Sequence, residues 1–137
     1  MKISVANCAC VISFLSLWLT SCASAPTQQQ IASANYGAAM APEQCKSIAE
    51  ESIANQLRDP GSAQFRNEQL CHQGWVSSVP LLGMKAAFGY VQRGEVNGKN
   101  AFGGYVGFRP FLVLIRDGVV VRSCITDSDG LCIPNGN

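Results

Sequence analysis

Seven cysteines, one histidine and the acidic run Asp127-Ser128-Asp129-Gly130 are the residues of this chain whose types suit covalent, acid–base or metal chemistry. Zinc sites built from four cysteines usually hold them as C-x-x-C pairs, and Cys45, Cys71, Cys124 and Cys132 show no such spacing. Cys71 and His72 are adjacent, so on a strand their side chains point to opposite faces and cannot form a nucleophile–base pair. The Asp127 run resembles the start of a calcium loop. It lacks a third oxygen ligand before the glycine and any acid after Asp129, so a turn closed by Cys132 is the better reading. No G-x-S-x-G, H-E-x-x-H or P-loop occurs. These residues therefore point to no catalytic set, no metal and no cofactor. The remaining polar cluster is a strip, Arg93, Glu95, Asn97 and Lys99, which alternation places on one face of a strand. Such a strip of mixed charge is either a recognition surface or a solvated face with cross-strand pairs.

Cys22 has a different chemistry in prospect. It ends Leu19-Thr20-Ser21-Cys22, which follows Lys2 and an apolar run from Val11 to Leu19. This pattern resembles the lipobox of bacterial lipoproteins. The run is short of the ~20 apolar residues that a spanning helix needs and suits a signal peptide over residues 1–21. Ala23-Ser24-Ala25 offers an ordinary A-x-A cleavage site, but Pro26 would follow the cut, where its ring and missing N–H fit poorly in an extended cleft. The resemblance implies that the signal is removed and that Cys22 becomes a lipid-bearing N-terminus. Ala23 stands where an Asp commonly favours inner-membrane retention in that family, so the resemblance implies the outer membrane, with the domain in the periplasm or at the cell surface. Two or more acyl chains anchor stably where one binds only marginally.

The same reading sorts the cysteines. Cys8 and Cys10 leave with the signal and Cys22 is alkylated. Cys45, Cys71, Cys124 and Cys132 remain, an even number in an oxidising compartment, which predicts two disulfides. Three connectivities are open. The short span with a turn favours Cys124–Cys132, leaving Cys45–Cys71 to tie a helix to the first strand. The full chain carries ten Lys or Arg and nine Asp or Glu, a balance that excludes nucleic acid, which calls for a basic stripe. It equally excludes an electrostatic membrane patch, so the membrane contact rests on the lipid.

The mature chain is long enough for one small domain. Residues 22–41 are rich in Ala, Ser and Gln and poor in large apolar residues, which predicts a flexible tether. Pro42 to Arg58 carries Cys45, Ile48, Ala49, Ser52, Ile53, Gln56 and Leu57 at helical spacing, with Pro42 and Glu43 suited to the first turn and Pro60 forcing an end. Beyond it, strands are expected over Gln64 to Cys71, Phe88 to Val96, Tyr105 to Ile115 and Val119 to Cys124, with Gly74 to Ala87 as an irregular packed loop. The third is apolar on both parities, which suits a central strand covered on both faces. Asp117-Gly118 is a type I′ hairpin signal. The expected fold is α+β, one amphipathic helix on a small antiparallel sheet, as a single domain over 42–137.

Two interior stretches carry a second resemblance: Asp59-Pro60-Gly61-Ser62-Ala63-Gln64-Phe65, and the run from Gly94 through Glu95-Val96-Asn97-Gly98-Lys99-Asn100 to Gly103-Gly104-Tyr105-Val106-Gly107-Phe108. Together they are similar to a group of small, uncharacterised bacterial envelope and phage-associated proteins. The likeness implies a shared fold and no activity. Where that pattern often has Cys, this chain has Arg93, so a family disulfide through that site is altered. Gly103-Gly104 suits a turn needing positive φ, and Asn97 and Asn100 are placed to tie it down. The expected function is a non-enzymatic binding or structural module with an envelope protein as partner. The alternative, an envelope-acting enzyme or enzyme inhibitor, requires a concave site around Glu95, His72 or Asp127.

Overall fold

A computed structural model describes residues 25–76 and 86–126. Its main helix, α2 (Pro42–Ala54), follows a five-residue helix, α1 (Gln28–Ala32). A single 3₁₀ turn, Pro60–Ser62, then leads into five strands: β1 (Gln64–Arg66), β2 (His72–Val76), β3 (Ala87–Asn97), β4 (Arg109–Arg116) and β5 (Val119–Ile125). The fold is α+β.

α2 starts without a side-chain cap at Ala41, and Pro42 and Glu43 take the first-turn places where a missing N–H and a negative charge both suit the helix. Cys45, Ala49 and Ile53 recur at four-residue spacing and are fully buried. The α-helix stops at Ala54, earlier than the expected Arg58. The Gln56 and Leu57 N–H groups donate to the carbonyls of Ile53 and Ala54, three residues back, so the chain tightens into turns before Pro60 is reached.

All strand pairings are antiparallel. β3 is the hub. It pairs with β4 on one side, and on the other with β1 (Arg66 opposite Glu95) and then β2 (His72 opposite Val91). Of the expected strand from Gln64 to Cys71 only Gln64–Arg66 joins the ladder, followed by a bulge over 67–71; β2 lies beyond it and, with the start of β3 at Ala87, makes strand of both ends of the expected irregular loop from Gly74 to Ala87. Asn67, at φ 51°, turns the chain out of the ladder, and the Gln69 N–H donating to the Arg93 carbonyl at 3.0 Å keeps the bulge attached. β4 lies between β3 and β5. Phe111, Val113 and Ile115 meet α2 in the core, while Leu114, of the opposite parity, is also fully buried. The face toward α2 is covered along the strand; on the other face Leu114 is buried, Leu112 half-buried and Pro110 exposed, so the cover on both faces that the apolar pattern predicts is present only around Leu114. β4 begins only at Arg109; upstream, Tyr105 makes an isolated bridge to Lys99 and no more. The β4–β5 turn has Asp117 at φ 55° and Gly118 at φ 75°, the pair of positive angles that a type I′ turn requires.

A disulfide joins Cys45 of α2 to Cys71 at the end of the bulge, with Cα atoms 6.3 Å apart, within the usual span. Cys124 is also disulfide-bonded; Cys132, its expected partner, lies outside the described residues, as do Cys22 and Asp127. Residues assigned to the tether make contacts with the domain. Tyr36 packs edge-on against Phe88 with ring centroids 5.8 Å apart, and the Ala38 N–H donates to Asp117 Oδ1 at 2.8 Å. Among the described residues no helix is long and apolar enough to cross a membrane.

Candidate functional site

The two stretches singled out in the sequence fold into one unit at the end of the β1–β3–β4 ladder. Gln64 and Phe65 pair with Asn97 and Val96, and Phe65 stacks edge-on with Phe111 at 5.7 Å. Buried Ser62 links the halves: its hydroxyl donates to the Asp59 carbonyl at 2.7 Å and accepts the Lys99 N–H at 2.9 Å. From this base the chain between β3 and β4 projects as a loop over 98–108.

The loop is held by asparagines. Asn97 Oδ1 accepts the Gly107 N–H at 3.0 Å, and Asn97 is only 8% exposed. Asn100 Oδ1 accepts two N–H groups, from Phe102 at 2.9 Å and Gly104 at 3.0 Å. Backbone bonds close the same turn, Asn100 N–H to the Gly104 carbonyl at 2.8 Å and Gly103 N–H to the Asn100 carbonyl at 3.0 Å. Gly103 sits at φ 80°, a region that side chains rarely enter. A turn tied at this many points has little freedom to fold its tip back.

At the tip Phe102 is 96% exposed, and Tyr105 and Val106 beside it are exposed as well. Lone exposed apolar residues need no explanation, but three together on one bonded loop form a patch. Beside it runs a cleft of about 390 Å³, lined by Arg58, Lys99 and Arg109 together with Leu57 and Val106, with no carboxylate among its described lining residues. The Lys99 ammonium also stands 5.5 Å from the Tyr105 ring centroid. The tip is apolar and its flank is cationic.

The strip Arg93, Glu95, Asn97 and Lys99 divides between roles. Arg93 is exposed. Glu95 accepts from Arg66 Nε at 2.6 Å and from Asn67 Nδ2 at 2.8 Å, and these bonds hold its carboxyl below the usual carboxylate value. Arg66 in turn lies 3.8 Å over the Phe108 ring. Asn97 is spent on Gly107. Of the four, Lys99 is the one that the structure brings to the exposed tip.

Of the groups weighed for catalysis, Asp127 lies outside the described residues, and Cys71, His72 and Glu95 do not converge. Cys71 is consumed in a disulfide. His72 is exposed, with Nδ1 3.1 Å from the Leu70 carbonyl. It lines a cleft of about 570 Å³ with Trp75, Tyr36 and Arg93, and no acid is among the described lining residues. Glu95 is engaged by Arg66 away from that cleft. No cluster of metal-ligating side chains occurs among the described residues. Reading the sequence did not single out Phe102, Arg58 or Arg109; the available signal was an aromatic residue enclosed between Asn100 and Gly103-Gly104. Comparison with family models, curated proteins and solved structures gives no match.

Proposed function

We propose that this chain is an outer-membrane lipoprotein, anchored by lipid on Cys22, whose domain is a non-enzymatic module that docks an envelope protein through the loop over 98–108. The observation that carries the docking reading is Phe102, 96% exposed at the tip of a turn fixed by Asn100. A loop fixed in advance loses little further entropy on binding, and an aromatic anchor entering a pocket is a common centre of binding energy. Burying such a side chain is worth about 1.5–3 kcal/mol. Arg58, Lys99 and Arg109 define the complementary surface: an apolar socket rimmed by carboxylates. Leu19-Thr20-Ser21-Cys22 supports the anchor, and the neutral charge balance supports lipid over electrostatic attachment.

Two measurements test the halves separately. Cys22→Ala abolishes incorporation of labelled palmitate and releases the protein from membranes; unchanged labelling overturns the anchor. Crosslinking in intact cells captures an envelope protein with the unchanged chain and loses it with Phe102→Ala. Undiminished capture by Phe102→Ala overturns the docking loop.

A further inference from the structure

The edges of the sheet are guarded unequally. β5, at one edge, shifts register against β4 and carries Arg122, and both a bulge and a charge keep a strand edge from pairing. β1 is only three residues long. β2 has neither defence. Its five residues, His72–Val76, pair with β3 without a register break and include no Lys, Arg, Asp, Glu or Pro. Among the described residues β2 pairs with β3 alone, and no further backbone hydrogen bond reaches its main chain. Alternate residues therefore turn an N–H and a C=O outward, a ready template for another strand.

The cleft of about 570 Å³ follows that edge. All five residues of β2 line it, and their side chains alternate between the two faces of the sheet, so what they share is the strand's edge. Ile31 and Tyr36, from the N-terminal stretch, line it too, and both Tyr36 and Trp75 are half-buried. Gly74, midway along β2, presents no side chain, which suits a place where a second backbone draws close. Past His72 the cleft meets Arg93, two residues beyond Val91, the partner of His72 on β3. Arg93 is exposed and has no ion-pair partner among the described residues.

We infer that the outer edge of β2 takes an extended peptide as an added antiparallel strand, whose chain ends beside Arg93 with its terminal carboxylate on the guanidinium. Main-chain hydrogen bonds along the edge supply the affinity, and side chains of one parity meet Tyr36 and Trp75. Antiparallel pairing is the stronger geometry and brings the C-terminal end of the added strand to the His72 end of β2. There the bulge over 67–71 interrupts the edge, so a longer chain finds nothing further to pair with, and a chain that stops meets a cation. This site is separate from the Phe102 loop and independent of the lipid anchor.

The test screens the full chain, in detergent, against a positional-scanning library of N-acetylated hexapeptides with free C-termini, reading binding by calorimetry and the best binder by amide hydrogen exchange. Saturable binding is expected, with new protection at alternate residues within 72–76. The same sequence N-methylated at alternate residues loses binding in one parity and keeps it in the other, because only one edge of the added strand faces β2. Its C-terminal amide binds about tenfold more weakly, and so does the free acid to Arg93→Gln, a substitution at an exposed site. The amide binds the two proteins equally. Any of four results overturns the inference: no pool binds saturably, both N-methylated forms bind alike, the amide binds as tightly as the acid, or the peptide-free chain self-associates with the same amides protected, which places a second copy at this edge.

Discussion

Removing the Asn100 side chain strips an acceptor from two N–H groups at once, those of Phe102 and Gly104, in a turn that has no hydrophobic packing to fall back on. Asn100→Ala is therefore expected to cost about 1 kcal/mol or more, and Asn97→Ala a similar amount because its bond to Gly107 is part-buried. Chemical denaturation checks both. Phe102→Ala, by contrast, should leave stability within about 0.5 kcal/mol, since the ring touches little in the free domain. The asparagines could be read from sequence because Asn beside Gly-rich chain has a well-defined local habit. Phe102 could not, since an aromatic residue read in isolation looks like core. Glu95 adds a titration. Its carboxyl is held below its ordinary 4.5 by Arg66 and Asn67. The stabilisation this gives is present above the unfolded value and is lost as pH falls through the lower folded one. NMR titration of Glu95 should give a midpoint below 4.5, returning toward it in Arg66→Ala; an unchanged midpoint in that variant would contradict the assigned cause.

Elements were legible where one local rule dominated. The Asp117-Gly118 turn needs two positive φ angles, and few other dipeptides supply them. α2 announced itself by periodicity and β4 by an apolar run on both parities. The bulge over 67–71 did not. Phe65 and Leu70 suggested one continuous strand, yet Leu70 is 75% exposed, and the interruption exists because Asn67 turns out of the ladder and Glu68 reaches across to Lys46. That reach is a tertiary event with no local signature. Tyr105 to Phe108 was likewise absorbed into β4 by its apolar residues, although Gly107, at φ 97°, breaks the ladder there. The disulfide from α2 to this bulge closes a span of 26 residues, for which chain-entropy arguments give about 3.5 kcal/mol. Cys45→Ala with Cys71→Ala should lower stability by about that much, and the loss should centre on the α2–bulge contact in hydrogen exchange. A double variant as stable as the parent would mean that the crosslink is dispensable to the fold.

At the scale of the whole molecule, the question is how far the domain extends toward its proposed anchor. Composition over residues 22–41 argues for a free tether, because Ala, Ser and Gln bury little. Composition does not register a single well-placed aromatic. Tyr36 meets Phe88, more than fifty residues away in sequence, and Ala38 meets Asp117 in the β4–β5 turn. Such long-range contacts leave no trace in a local pattern. Gly37 lies close under Arg116 and Asp117, where a Cβ would come within 2.7 Å of the Arg116 side chain, so this stretch is seated against the sheet. The consequence can be measured by limited proteolysis, which cuts where backbone is exposed and unpaired. Digestion of the full chain should leave a resistant core that begins ahead of Tyr36, between α1 and the docked stretch, where Ser33 and Asn35 are exposed. In Tyr36→Ala the edge-on ring contact is lost, and the first cut should move toward Pro42, where α2 takes over the protection. A core that begins at Pro42 in the unchanged protein would show that the docked stretch opens freely in solution, and the tether would then be as long as its composition suggests.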